Sequence, residues 1–139
     1  MKQILLLIVL TFLSANVTAE DILVVVSKGN ATESLSKSQV IDIFLGRYVA
    51  FPDGEPAEPV DIANEELKGE FYQRLTNLNL ARVNAYWSRI KFSGKATKPM
   101  ELENESSAVQ FVTTEELAIS YIKASSLTSN LKVVYTVSE

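Results

Sequence analysis

The chain has 139 residues and a formal net charge of -4, and it contains neither cysteine nor histidine. Their absence excludes disulfide bonds, Ser-His-Asp and Cys-His catalysis and the commonest zinc ligands, and nothing else in the sequence predicts a metal site or a cofactor. The lysines and arginines are scattered along a mildly acidic chain, which argues against nucleic acid or an anionic membrane as a partner.

Residues 1–19 have the pattern of a signal peptide. Lys2 precedes an apolar run over residues 4–13, and Val17-Thr18-Ala19 is a small-residue cleavage site. We predict cleavage after Ala19 and a mature domain of residues 20–139, with no membrane segment after cleavage. A retained N-terminal anchor is the alternative, which the small residues before Glu20 disfavour. Export without disulfides favours a bacterial periplasm.

The first part of the mature chain predicts strand, helix and strand. Residues 22–26 form a continuous apolar run, which is typical of a strand covered on both faces and central in a mainly parallel sheet. Ser36 and Gln39 form a capping box, and apolar residues then recur at helical spacing as far as Gly46, a helix-terminating glycine. Residues 60–63 predict the second strand. Together these elements predict a βαβ unit.

The second part of the chain predicts three more helices and two more strands. Asn64 is a helix cap for residues 65–76, and a further helix carries the only tryptophan, Trp87, on its apolar stripe, where we predict a core anchor. Residues 92–99 predict a loop and residues 105–112 a helix. The last two strands are predicted at residues 117–122 and 131–137. The mature chain is therefore predicted to be one α/β domain.

Three polar segments are candidates for a ligand site. In open α/β sheets, ligands collect beyond the carboxyl ends of strands, where helix N-termini present free amides. The segments 27–30, 64–66 and 93–97 fit that description, although a solvated loop that caps a helix is the alternative for each. The candidate ligand-binding residues are Ser27, Lys28, Asn64, Ser93, Gly94, Lys95 and Thr97.

Three carboxylates on one predicted helix raise the alternative of an enzyme. Glu65, Glu66 and Glu70 lie within two turns, but a hydrolytic carboxylate pair must flank a cleft from separate elements. Acidic residues in a first turn instead complement the helix dipole. We therefore predict no catalytic residues and no enzymatic activity.

Several motifs occur in a fixed order along the mature chain. They are ILVVV (22–26), LSKSQVIDIFLGRY (35–48), FPDG (51–54), PVDI (59–62), EFYQRL (70–75), AYWSRIKFSGKATKP (85–99) and AISYI (118–122). This order resembles the short phosphate-binding-protein-like domains related to the periplasmic receptor of phosphate ABC importers. The resemblance implies a single Rossmann-like lobe of type II periplasmic binding protein architecture, with a mainly parallel sheet flanked by helices, where full receptors have two lobes.

The resemblance also implies a function as a solute-binding-protein-like domain for phosphate or another small oxyanion. In the phosphate receptors, a Gly-Ser-Gly-Thr segment holds the anion after the strand that matches residues 60–63. In this chain Asn64, Glu65, Glu66 and Leu67 stand there, and two carboxylates beside a phosphate repel it. We therefore expect weak oxyanion binding or, as the alternative, an accessory or adaptor domain that contacts a periplasmic protein or a second copy in a homodimer.

Overall fold

The computed structural model describes residues 20–94 and 96–138. The predicted signal peptide and Lys95 lie outside the described residues, and within those ranges no helix is long and apolar enough to cross a membrane. The described strands and helices are β1 (Ile22–Ser27), α1 (Lys37–Phe44), β2 (Glu58–Ile62), α2 (Glu65–Thr76), α3 (Leu80–Ser93), β3 (Met100–Leu102), α4 (Glu105–Thr114), β4 (Ala118–Lys123) and β5 (Leu131–Val137).

The strands form one sheet in the order β3-β2-β4-β1-β5. Strand β2 is parallel to β3 and β4, whereas β1 is antiparallel to both β4 and β5. Four of the five described strands therefore run in one direction, which confirms the mainly parallel α/β fold. Strand β1 lies inside the sheet with every residue buried, as its apolar run predicts.

The predicted βαβ unit over β1, α1 and β2 is wrong. These two strands are separated by β4 and run in opposite directions. An unbroken apolar run indicates only that both faces of a strand are covered, and it carries no information about the direction of the strand. Strand β2 is instead the parallel neighbour of β3 and of β4, and two helices connect β2 to β3.

Strand β3 lies within a stretch for which the sequence predicts no strand. It has three residues, and Met100 and Glu101 are exposed, so no apolar pattern marks it. Its backbone pairing with β2 from Val60 to Ile62 is what makes it a strand. The other predicted strands and helices are confirmed, with ends that differ from the prediction by a few residues at most.

The capping box at the start of α1 is confirmed by its hydrogen bonds. The amide of Gln39 donates to Ser36 Oγ at 3.2 Å, and the amide of Ser36 donates to Gln39 Oε1 at 2.8 Å. After the helix, Gly46 has a φ of 70°, a left-handed conformation that favours glycine. This local sequence therefore fixes both ends of α1.

Aromatic side chains join α1, α2 and β4 in the core. Phe71 stacks on Tyr121 with ring centroids 3.9 Å apart, and Phe44 meets Phe71 edge-on at 5.0 Å. Trp87 is only 5% exposed, which confirms that it is a core anchor. A Cβ added at Gly46 would lie 3.0 Å from Trp87 Cη2, so the end of α1 packs directly against the indole.

Candidate functional site

The N-terminus of α2 has the position that an anion would need, beyond the carboxyl end of β2, but its amides are already bonded. Asn64 Oδ1 accepts hydrogen bonds from the amides of Glu66 at 3.1 Å and Leu67 at 3.2 Å. Glu65 and Glu66 are exposed beside them. An anion at this position would have to displace the Asn64 side chain and approach two carboxylates, so the α2 N-terminus is a poor anion site.

The described candidates next to strands lie at two opposite ends of the sheet. Asn64 follows the carboxyl end of β2, whereas Ser27 ends β1 and Lys28 follows it, and β1 points the other way. Thr97 precedes β3 and therefore lies at the same end as Ser27. Even there, β2 and β4 stand between β1 and β3, which separates the two strands by roughly 14 Å. The three segments therefore do not form one site.

Ser27, Ser93 and Gly94 have structural partners or roles. Ser27 is buried, and its Oγ accepts from the amide of Gly29 at 3.3 Å. Ser93 Oγ donates to the carbonyl of Ile90 at 2.7 Å, and Gly94 ends α3 with a φ of 65°. Lys28 is exposed, and Thr97 lines a cavity that holds cationic side chains.

A buried polar cluster joins β2, α2 and β4. Asp61 is 1% exposed, and it accepts hydrogen bonds from Tyr72 at 2.9 and 3.1 Å and from Tyr121 at 3.0 Å. Lys68 Nζ lies 4.0 Å from Asp61 and 2.9 Å from Glu101. This cluster was not predicted from the sequence. The one sequence signal for it was Asp61, a charged residue inside a predicted strand, because burying a charge costs free energy unless the charge is paired.

Burial controls the ionisation of this cluster. It raises the pKa of Asp61, which the positive charge of Lys68 and the two phenol hydrogen bonds oppose. It also raises the pKa of Tyr72 and of Tyr121 well above the usual range, with the negative charge of Asp61 as the next cause. Both phenols therefore stay protonated as hydrogen-bond donors. Because Asp61, Tyr72 and Tyr121 are buried and bonded to one another, the cluster joins elements of the fold, and only Glu101 at its edge is exposed to solvent.

An apolar groove is lined in part by the segment 96–98. It has a volume of about 630 Å³. Met100, beside it on β3, is 40% exposed, and Tyr48 is 62% exposed next to the lining residue Val49. The apolar groove is lined by Gly46, Val49, Ala57, Glu58, Pro59, Ala96, Thr97, Lys98, Pro99 and Met100.

A second cavity, here called the basic cleft, shares residues 96–98 of its lining with the apolar groove. It has a volume of about 660 Å³ and is lined by Asn84, Trp87, Ser88, Lys91, Ala96, Thr97 and Lys98. Neither lysine has a hydrogen-bond or salt-bridge partner among the described residues. No carboxylate belongs to the described lining, although the charge of Lys98 also lowers the pKa of Glu101. The cleft therefore presents two ammonium groups and several neutral polar groups to solvent.

Carboxylates do not converge anywhere in the described part of the chain in a way that would suit a metal. No group of three or more Asp or Glu side chains within residues 20–94 and 96–138 has that arrangement. Glu65, Glu66 and Glu70 of α2 are exposed, and Glu70 pairs with Arg74 at 3.3 Å. These three carboxylates therefore lie on a solvated helix surface.

Comparison with known proteins gives structural relatives only. No family model matches the chain, and no curated protein matches it by sequence. A solved structure of a protein assigned as a phosphate ABC transporter substrate-binding protein, from Clostridium perfringens with phosphate bound, superimposes with a TM-score of 0.67 at 17% identity. An ABC-type phosphate transport receptor from Vibrio cholerae superimposes with a TM-score of 0.65 at 14% identity.

The fold is that of a periplasmic-binding-protein-like domain. The matches cover 83% of this chain but only 44% and 45% of the two relatives, so the chain spans less than half of their length. The similarity confirms the predicted fold, while the low identity leaves the ligand to be argued from this chain's own residues.

Proposed function

We propose that this chain is an exported, non-catalytic binding-protein-like lobe that binds a small anion in the basic cleft, away from the N-terminus of α2. The observation that carries the proposal is the pair Lys91 and Lys98, which line one cleft and have no salt-bridge partner among the described residues. The whole chain has 17 acidic and 13 basic residues, so a cleft with two lysines and no carboxylate in its described lining is distinctive. The fold shared with a receptor that holds phosphate supports the same class of ligand.

The affinity of this site should be weak. A single lobe does not close around its ligand, so water and salt screen the two lysines. Lys91 also lies in the last turn of α3, where the negative end of the helix dipole opposes an anion. We expect a dissociation constant in roughly the high micromolar to millimolar range, which weakens as the ionic strength rises. The signal-peptide pattern of residues 1–19 supports the periplasm as the location of this binding.

Isothermal titration of residues 20–139 with phosphate and with sulfate tests the proposal. Wild type should release or absorb heat with a saturable dependence on anion concentration. Lys91→Gln with Lys98→Gln should abolish that heat, whereas the charge-matched control Lys37→Gln with Lys123→Gln, on α1 and β4, should retain it. The proposal fails if neither anion binds the wild type, or if both double variants bind equally well.

An accessory role through protein contacts is the second candidate function, and the apolar groove favours it. Met100 is 40% exposed on β3, which lies at the edge of the sheet, and an edge strand offers unpaired backbone groups to a partner. If a second copy of the chain is the partner, sedimentation at micromolar concentration should show a dimer that Met100→Glu dissociates. A wild-type monomer in that experiment contradicts the homodimer form of this candidate.

A further inference from the structure

The indole nitrogen of Trp87 is a buried donor with no hydrogen-bond partner among the described residues. The side chain is 5% exposed and lines the basic cleft. A buried N–H that makes no hydrogen bond loses its hydration without compensation, which costs about 1–3 kcal/mol. An unpaired donor next to a cavity is therefore a reason to look for a ligand atom that would accept from it.

The other end of the same ring is held by the core. A Cβ at Gly46 would lie 3.0 Å from Cη2 and 3.5 Å from Cζ3 of Trp87, so the benzene part of the indole faces the end of α1. The ring of Tyr86 meets the indole edge-on at 5.3 Å, and the Tyr86 hydroxyl donates to the carbonyl of Leu45 at 2.6 Å. These contacts hold the indole in one orientation without using its nitrogen.

Three polar side chains of α3 lie beside Trp87 on one face of the helix. Asn84, Ser88 and Lys91 are spaced by four and three residues, so their side chains lie above one another on successive turns, beside the tryptophan. Thr97 and Lys98 line the cleft from the following segment. The cleft therefore has charged groups at the C-terminal end of α3 and neutral polar groups one to two turns earlier.

The volume of the basic cleft indicates the size of its ligand. About 660 Å³ is within the range of small-molecule sites and much larger than inorganic phosphate requires. An anionic group at Lys91 and Lys98 would leave space near Asn84 and Ser88 for an organic portion. A phosphate monoester and an organic carboxylate share this chemistry, and both carry oxygens that accept from an indole N–H.

We infer that Trp87 is a ligand-binding residue of the basic cleft, and that its N–H donates to an organic anion with a phosphate or carboxylate headgroup. The inference rests on the proposed function, because it requires that an anion binds in this cleft. It extends that function by adding a neutral donor to the two lysines and by predicting that organic anions bind more tightly than inorganic phosphate.

Nuclear magnetic resonance of the wild-type domain tests this without a substitution. The chain has one tryptophan, so a proton–nitrogen correlation spectrum contains a single indole N–H signal. Titration with phenyl phosphate, benzoate and inorganic phosphate at constant ionic strength should move that signal downfield and saturate at the same concentrations as the heat of binding. Phenyl phosphate should bind at least a few fold more tightly than inorganic phosphate, and benzoate shows whether a carboxylate is accepted.

Trp87→Phe provides the second measurement, because it keeps an aromatic ring at this position and removes the N–H donor. It also removes the outer ring atoms Cη2 and Cζ3 that face Gly46, so its unfolding free energy is measured beside its affinity to show that the fold is retained. It should weaken phenyl phosphate binding roughly tenfold, as expected for one hydrogen bond to a charged acceptor. If the anions produce heat of binding but the indole signal does not move, Trp87 is not a ligand-binding residue, while the proposed function stands. If none of the three anions produces heat, the proposed function fails and this inference fails with it.

Discussion

The hydroxyl of Tyr72 donates to both carboxylate oxygens of Asp61, at 2.9 and 3.1 Å. Tyr121 donates to the same carboxylate at 3.0 Å and accepts from the amide of Ile62 at 3.1 Å. One buried carboxylate therefore holds α2 on β2 and β4. The consequence for function is that α2 is fixed in place, with its N-terminus capped by Asn64.

Removing this carboxylate should be strongly destabilising. Asp61→Ala leaves two buried phenols without their acceptor and should cost about 3–5 kcal/mol of unfolding free energy in urea titrations. Asp61→Asn keeps one carbonyl acceptor and should cost about 1–2 kcal/mol. Asp42→Ala, which removes a partly exposed carboxylate paired with Arg47, is the control and should change stability by less than about 1 kcal/mol. Equal costs for the alanine variants at positions 61 and 42 would contradict the structural role of Asp61.

The same cluster should make stability depend on pH. Because burial raises the pKa of Asp61, the folded state holds this proton more tightly than the unfolded state does. The contribution of Asp61 to stability therefore falls as the pH rises from its ordinary pKa of 3.8 through the raised folded value. The unfolding free energies of wild type and Asp61→Asn should be measured at several pH values. As the pH rises across that range, the unfolding free energy of wild type should fall relative to that of the variant.

Glu101 should have the opposite effect on acid stability. The hydrogen bond from Lys68 lowers the pKa of this carboxyl. Its contribution is therefore present above the ordinary pKa of 4.5 and is lost as the pH falls through the lowered folded value. Glu101→Gln should remove this loss of stability at low pH and leave the pH dependence due to Asp61 unchanged. A variant with the same acid profile as wild type would contradict this assignment.

Gly46 should be difficult to replace because two separate costs coincide there. Its φ of 70° disfavours a side chain, and an added Cβ would lie 2.9 Å from the Cβ of Ala96. Gly46→Ala should cost about 2–3 kcal/mol and shift the fluorescence of Trp87. Gly94→Ala is the matched control, since its φ is 65° but no atom of a described residue other than its chain neighbours lies within 4 Å of the added Cβ, and it should cost only about 1 kcal/mol. Equal losses of unfolding free energy for Gly46→Ala and Gly94→Ala would show that the structure accommodates the new contact with Ala96 and Trp87 without strain.

The contribution of the Asn64 cap to stability should be measurable as a change in the free energy of unfolding. Asn64→Ala removes the acceptor of two amides and should cost about 1 kcal/mol, whereas Asn64→Asp should retain the cap. Asn130→Ala, which removes an exposed side chain with no described hydrogen bond, should be neutral. An alanine variant at position 64 as stable as wild type would mean that these amides are not held by Asn64.

Local signals predicted most of the fold. The caps Ser36 and Asn64 and the stop at Gly46 depend on neighbouring residues, so they can be read directly from the sequence. The direction of β1 and the existence of β3 depend on pairing with distant strands, and no local pattern encodes them.

The candidate site was less predictable for the same reason. Asp61 and Tyr121 are 60 residues apart in the chain, and their contact exists only once β2 and β4 are adjacent. The segment 93–97 was a candidate because of its hydroxyls and Lys95, and the cleft beside it is lined by the flanking residues Lys91 and Lys98. The polar character of the region was therefore visible in the sequence, but the residues that face a common space were not.

The central claim is that an anion binds in the basic cleft and not at the N-terminus of α2. Calorimetric titration of residues 20–139 with phenyl phosphate tests it most directly, using Lys91→Gln with Lys98→Gln and, separately, Glu65→Gln with Glu66→Gln. We predict that the lysine pair abolishes binding and that the glutamate pair leaves it unchanged, because Asn64 still occupies the amides. Binding that survives the lysine substitutions and strengthens in the glutamate variant would contradict the claim and place the anion at α2.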